Sequence, residues 1–281
     1  MKILMCQTKD EFCQKYLSLI EREACCNQLF IEMLSETCDI KQTDLLICGS
    51  VSEDQGQKLI FYNDEPYHLY LYDMGCSEKA YARLGQFLLE NDVKIHSLNG
   101  SQKEVGLFMK YYPKNFELSG VMNVMMTKEQ VELSFQDGHL IQATINQLHD
   151  AIKMYDFFAK EVLNTSVDYS RLKRKMKQLI EAGECYFWVN SHSKLVSMIH
   201  IDAHVGRGIS FSGVYTLKEY RGMGYASALV SKLSETFLSK GHDFCTLMVD
   251  QKDNIPQRTY EKVGYQVIGE NYYYKLVEEC K

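Results

Sequence analysis

The residues best suited to chemistry lie in one stretch, SGVYTLKEYRGMGYASAL, residues 212–229. A β-branched and aromatic run ends at Thr216, Arg221 precedes glycines at 222 and 224, and helical spacing begins at Tyr225. The first turn of a helix presents backbone N–H groups and about half a positive charge. Glycines ahead of that turn let the backbone approach an anion closely, and Arg221 adds a cation at the rim. The chemistry indicated is anion binding. Two familiar phosphate motifs are excluded. GxxxxGK[ST] is absent, and RGMGYA lacks the third glycine and the downstream acid of a dinucleotide site. A Gly-x-Gly turn also serves as a plain structural turn, so at this level both readings stand.

The elements around the turn read as alternating strands and helices. GHLIQAT (138–144) is a strand, and 150–163 is a helix with Ile152, Tyr155, Ala159 and Val162 on one face. Residues 168–182 form a second helix, with Leu172, Met176 and Leu179 inside. Arg171, Lys173, Arg174, Lys175 and Lys177 surround them, either as a solvated face or as a docking patch. Strands CYFWVN, KLVSMIHID and ISFSGVYT follow. The helix after the glycines carries Ala226, Leu229, Val230, Leu233 and Phe237 and stops at Gly241. FCTLMVD is apolar throughout, as a central strand requires, and YQVIGENYYYKL closes the chain after a short helix ending at Gly264.

The first half has the same order in looser form. Two helices (about 9–36) precede strands LLICGSV, KLIFYN and HLYLYD, then a helix (78–90), KIHSL, a short helix to about Tyr112, and FELSGVMNVMM. Where the second half has YRGMGYA, the first has DMGCSEK. The expectation is a duplicated α/β unit with one intact Gly-rich turn.

Composition bounds the function. The 281 residues are 46% hydrophobic and 24% charged, ordinary globular usage, with a net charge of −6 that argues against general nucleic-acid binding. No stretch approaches a membrane span, and MKILMCQTKDEF is not a signal peptide, so a cytoplasmic protein is expected. The ten cysteines show no CxxC pair, and no metal is expected. Reduced thiols in the core are.

The sequence R-G-x-G-x-A after V-Y-T, with D-x-x-D-N-x-P-x-x-x-Y-E-K-V-G-Y further on, resembles the GNAT superfamily of acyl-CoA N-acyltransferases over about 138–281. It is most similar to the branch that includes glycine N-acyltransferase-like C-terminal domains, many of which carry a degenerate GNAT-like N-terminal half. The resemblance implies a tandem GNAT-like α/β (α+β) fold with a mixed central sheet flanked by helices in each half. It also implies a degenerate domain over 1–130 and an acyl-CoA domain over 131–281. Backbone groups of Val214, Tyr215 and Thr216 would pair with the pantetheine arm. Gly222, Met223, Gly224, Tyr225, Ala226 and Ser227 would face the pyrophosphate beside Arg221, and Asp253 stands where the family usually has asparagine. Tyr260, in the position of the family tyrosine, would protonate the leaving thiolate.

Acyl transfer to an amine also requires the nucleophile to lose a proton. An alkylammonium of pKa near 10 is about one part in a thousand neutral at pH 7, equivalent to roughly 4 kcal/mol of barrier. No carboxylate stands in ISFSGVYT, where relatives often have glutamate. His200, Asp202 and His204 alternate onto one strand face as a relay, a metal site or simply a polar face, and Glu184 is a further base candidate. Asn254 is a candidate cap for the short helix, with Pro256 in its first turn. The expected activity is transfer of an acetyl group from acetyl-CoA to a small or amino-acid-like primary amine. A longer acyl-CoA, or a regulatory module that holds CoA without turnover, are the other readings. No nucleic-acid or membrane partner is expected, and the sequence is silent on oligomeric state.

Overall fold

The computed structural model describes residues 1–23, 26–35, 46–64, 67–129, 133 and 137–277. Residue 36, the expected end of the second N-terminal helix, and Cys25, Cys38 and Cys280 lie outside the described residues. The chain forms two compact units. One comprises Met1–Val124, Asp250–Lys252 and Ile268–Lys281, and the other Met125–Val249 and Asp253–Val267.

The elements run β1 (Lys2–Cys6), α1 (Lys9–Ile20), α2 (Gln28–Ser35), β2 (Ile47–Ser52), β3 (Lys58–Asp64) and β4 (His68–Asp73). Next come α3 (Glu78–Glu90), β5 (Ser97–Gly100), α4 (Gln102–Tyr111) and β6 (Phe116–Thr127). Then follow β7 (His139–Gln142), α5 (Leu148–Glu161), α6 (Tyr169–Glu181), β8 (Cys185–Val189), β9 (Leu195–Val205) and β10 (Gly208–Thr216). The last are α7 (Tyr225–Ser239), β11 (Cys245–Asp250), α8 (Asn254–Glu261) and β12 (Gln266–Leu276).

In the first unit the strand order is β1-β2-β3-β4-β5-β12-β6. Leu69, Leu71 and Leu98 pack on one face against Tyr81, Leu84 and Leu88 of α3 and Phe108 of α4. On the other face Phe12 of α1 and Phe30 of α2 meet Tyr62 at 5.2 and 6.4 Å. Helix α4 begins with a capping box, Ser101 accepting from the Glu104 N–H while Glu104 accepts from the Ser101 N–H. Strand β1 is not predicted by the sequence pattern. Its five residues are too few for alternation to register.

The closing residues differ more. The sequence reads them as closing strands of the second half, whereas β12 is one strand whose residues from Ile268 onward belong to the first unit. There Tyr272 pairs with Gly100 and Lys275 with Ser97, antiparallel. Pairing partners so far apart in sequence leave no local mark.

In the second unit the order is β7-β8-β9-β10-β11, antiparallel from β7 to β10 and parallel between β10 and β11. Tyr155 and Ala159 of α5 and Leu172 and Met176 of α6 cover one face through Phe187, Met198 and Tyr215. Leu229, Leu233 and Phe237 of α7 cover the other through Ile199, Phe211 and Leu247. Both units are therefore mixed sheets with helices on both faces. Three expected core positions move, and on α7 the buried alanine is Ala228 rather than Ala226. Helix α5 ends at Glu161, so Val162 has left the buried stripe and is 55% exposed. In α6 the third buried residue is Ile180 rather than Leu179, because the stripe continues by four from Met176. Among the described cysteines, Cys6, Cys48, Cys76, Cys185 and Cys245 are buried, as small core residues.

Candidate functional site

The Gly-rich turn needs both glycines for backbone reasons. Gly222 has φ +76° and Gly224 φ +88°, left-handed conformations that cost an L-residue roughly 1–2 kcal/mol. Among the described residues, a β carbon on Gly222 would meet nothing within 4 Å, so the turn faces open space. Gly224 is the N-cap of α7 and, having no side chain, supplies no cap bond of its own. The first intrahelical bond runs from Ala228 N–H to the Gly224 carbonyl at 3.0 Å. Helix α7 thus directs its first turn, with its positive dipole end, at the space in front of the glycines.

The neighbouring side chains hold the turn. Met223 is 56% exposed at its tip, while Ala226 and Ser227 are half-buried. The Tyr225 ring is buried, and its hydroxyl donates to Asp137 Oδ2, which raises the phenol pKa. Asp137 Oδ1 accepts the Ser191 N–H at 2.8 Å, so this carboxylate ties α7 to the β8–β9 turn. Arg221 is fixed as well. Its Nε donates to the Thr216 carbonyl at 3.0 Å and an η nitrogen donates to Glu161 at 2.8 Å, with the guanidinium 5.1 Å from the Tyr215 ring centre. Glu161 also accepts the Tyr215 hydroxyl at 2.9 Å and meets Lys218 Nζ at 3.1 Å. The Arg221 hydrogen bond, with those of Lys218 and Tyr215, holds the Glu161 carboxyl down at about 2.

Sequence reading missed Glu161 and Asp137, which reach the turn from distant segments. One signal was available for Glu161. An acid as the last residue of a helix opposes the macrodipole, so a cation is expected beside it.

Strand β10 opens next to the turn. Ser212 pairs with His200 and Tyr215 with Met198, so three steps on β10 match two on β9, a β-bulge at Gly213–Val214. Pairing of β10 with β11 covers only Ile209–Phe211 against Cys245–Leu247. Beyond Phe211 the two strands part, and among the described residues the backbone of Val214, Tyr215 and Thr216 has no β11 partner. The Thr216 carbonyl takes the Arg221 bond, and the Tyr215 carbonyl accepts from Ser197 Oγ at 3.1 Å.

Tyr260 lies on α8, buried in the same core as Tyr225 and Val249 and 6.3 Å from the Tyr265 ring. Burial, with a smaller contribution from Asp253, pushes its pKa well above the usual value. Asp253 is the N-cap of α8 and accepts the Ile255 N–H at 3.2 Å, so the cap is Asp253 and not Asn254. Asn254 is already the first helical residue.

The base candidates separate. His200 is 0% exposed, 5.7 Å from the Tyr155 ring, and burial lowers its pKa to about 4. Its Nδ1 lies 3.1 Å from the Ile201 carbonyl and 3.8 Å from Asp202, while Nε2 has no partner among the described residues. Asp202 lies 3.9 Å from Lys175, and His204 pairs with Glu184 at 3.1 Å near the surface. His200 and Asp202 lie side by side, and exposure grows from the buried His200 to the exposed His204, so the polar run is buried at its first member. Among the described residues no group of three or more His, Cys, Asp or Glu could hold a metal ion. No described helix is long and apolar enough to cross a membrane.

The equivalent turn of the first unit is built differently. Gly75 is also left-handed, at φ +81°. There Asp73 Oδ1 accepts the Cys76 N–H at 2.6 Å, and Glu53 accepts the Ser77 N–H at 3.3 Å and its hydroxyl. Carboxylates thus bond the N–H groups of the two residues just ahead of α3.

Known structures share this architecture. A GNAT-family acetyltransferase from Colwellia psychrerythraea superposes with a TM-score of 0.66 at 11% identity, covering 99% of this chain and 100% of its own. A GCN5-related N-acetyltransferase from Sphaerobacter thermophilus gives 0.64 at 13%, covering 93% and 92%. A tandem GNAT protein from the clavulanic acid biosynthesis pathway gives 0.56 at 9%, covering 100% and 99%. The chain has a tandem GNAT-like fold. The family model described as FR47-like protein matches residues 195–274, from the start of β9 through most of β12. That stretch contains the bulge, the Gly-rich turn, α7 and Tyr260. Comparison with curated proteins gives no match.

Proposed function

We propose that the protein is an acyl-CoA-dependent N-acetyltransferase that moves an acetyl group from acetyl-CoA to a primary amine of a small or amino-acid-like acceptor. On this reading the active GNAT domain is 131–281 and 1–130 is a degenerate GNAT-like half. One observation carries it: two left-handed glycines, the second the N-cap of α7, follow the strand end where β10 and β11 part. The first turn of α7, from Gly222 to Ser227, would take the pyrophosphate, with Arg221 as the clamp that fixes the turn. Val214, Tyr215 and Thr216 would line the pantetheine arm as a strand edge lines an added strand. The carboxylates of Asp73 and Glu53 just ahead of α3 disfavour an anion there, which supports placing it in the second unit.

In the reaction the neutral amine nitrogen attacks the thioester carbonyl, a C–N bond forms and the C–S bond breaks. The amine proton leaves to a base or water, and the thiolate takes a proton from Tyr260, a phenol that is protonated at neutral pH. Asp253 would serve the cofactor arm only through its second oxygen, since the first caps α8. That cap, and the lack of a carboxylate on β10, favour a second reading, a module that holds CoA without turnover. Thiol release from acetyl-CoA, measured over a panel of primary amines, tests the proposal. Amine-dependent release is expected, whereas saturable acetyl-CoA binding with no release on any amine would favour the module. Butyryl-CoA in the same assay reports on acyl length.

A further inference from the structure

A cavity of about 260 Å³ lies within the first unit, walled by Tyr70, Tyr72, Asn99 and Asn271 of the sheet and by Cys26 and Phe30 at α2. Register places the asparagines on one sheet face, because Asn99 is opposite Tyr273 and Asn271 is two residues along the same strand. Asn99 is 3% exposed and Asn271 8%, and among the described residues the side-chain nitrogen of each has no hydrogen-bond partner. Buried amide donors are normally matched, and two unmatched ones on one face call for an acceptor. Diagonal neighbours on a sheet face stand roughly 7–8 Å apart, within reach of a single small molecule.

The charge of the wall restricts that molecule further. Glu23, Asp73 and Glu104 line it with a single cation among the described residues, Lys103, whereas the Glu270 side chain, bonded to the Tyr272 hydroxyl, lies on the other sheet face. Lys103 pairs with Asp73 at 2.9 Å. Glu104 is held by the backbone N–H groups of Asp73 and Ser101 at 2.7 and 2.8 Å. Burial raises the pKa of the Glu104 carboxyl, and Glu23 acts on both Tyr72 and Cys26 of the wall, so the negative excess comes from Glu23 with Glu104 behind it.

We propose that this cavity is a binding site for a small primary ammonium compound that also carries a carbonyl oxygen, of amino-acid-amide size. The oxygen accepts from the asparagine amides and the ammonium faces the carboxylates. Drug-sized ligands take roughly 300–1,000 Å³, so the volume suits a smaller molecule, and the acidic wall disfavours a phosphate. The site is independent of the acetyl-CoA reading, which concerns residues of the second unit.

Titration of glycinamide into the full chain, followed by calorimetry or NMR shifts, tests it. Propylamine (no carbonyl), acetamide (no amine) and inorganic phosphate are the comparison probes. Glycinamide should bind saturably and each comparison probe at least tenfold more weakly. Asn99→Leu with Asn271→Leu should weaken glycinamide at least tenfold, and Gly224→Val should leave it unchanged. If the double variant does not fold, Glu23→Gln at the exposed edge decides, with a severalfold loss expected for glycinamide. No saturable glycinamide binding, meaning a cavity that holds only water, would overturn the proposal. So would phosphate binding more tightly than glycinamide, or unaltered glycinamide affinity in a folded Asn variant or in Glu23→Gln.

Discussion

Gly213 and His200 occupy one space. A β carbon built on Gly213 would lie 2.5 Å from His200 Cδ2 and 2.7 Å from Nε2, and Gly213 already has φ +65°. The β10 bulge therefore depends on the absence of a side chain at 213 and on a flat ring at 200. Gly213→Ala should destabilise the protein by about 2–5 kcal/mol, the sum of the left-handed penalty and of overpacking. In a His200→Ala background only the backbone part, about 1–2 kcal/mol, should remain. Denaturant unfolding of the four proteins in the cycle measures this coupling, and additive costs would mean that ring and bulge are independent.

His200 should also make stability depend on pH. Its folded pKa of about 4 lies below the unfolded value near 6.5, so between those values the unfolded chain binds the extra proton. Above pH 6.5 the ring is neutral in both states and carries no penalty. As pH falls from about 6.5 to about 4, stability should drop by an amount approaching about 3 kcal/mol, then level off with respect to this group. The difference in unfolding free energy between wild type and His200→Phe, followed over this window, isolates it from the carboxylates. A pH-independent difference would show that His200 does not titrate as assigned.

Much of the second unit was legible because its signals are local. The left-handed demand at 222 and 224 is written in the glycines, and the α7 core stripe Leu229, Val230, Leu233 and Phe237 in helical spacing. Sequence could not show what comes from a distance. Glu161 reaches Arg221 across 60 positions and Asp137 reaches Tyr225 across 88. The pairing of Tyr272 with Gly100 is likewise set by tertiary geometry. His200 was legible as a residue type but not as buried, because a histidine alternating with Asp202 and His204 has the pattern of an exposed face.

Glu161→Gln should separate holding the turn from holding the fold. Its ion pairs are partly exposed, so stability should change by no more than about 1 kcal/mol. Release of Arg221 should loosen residues 217–224 and raise the KM for acetyl-CoA severalfold. With the carboxyl near 2, the Arg221 pair is retained from about pH 3 upward, so wild-type KM should show no acid limb from this residue above that value. Steady-state kinetics from about pH 5 to about pH 9 checks both statements.

Tyr260→Phe keeps the buried ring and removes only the hydroxyl. The proton donor for the leaving thiolate should then be lost, with kcat down about 10²-fold and acetyl-CoA affinity nearly unchanged. Because burial raises this phenol, wild-type kcat should show no loss from its ionisation below about pH 10. Acetyl-CoA hydrolysis serves as the assay until an acceptor is in hand. Turnover equal to wild type would assign the ring to packing.

The most direct measurement is calorimetric titration of acetyl-CoA into the wild-type chain and into Gly224→Val. Gly224 stands at φ +88° at the head of α7, where a branched side chain both strains the backbone and fills the approach to the first turn. Wild type should bind saturably, and the folded variant should bind at least tenfold more weakly, about 1.4 kcal/mol. Equal affinity in a folded Gly224→Val protein, or no binding by wild type, would contradict the assignment of the Gly-rich turn as the acyl-CoA site.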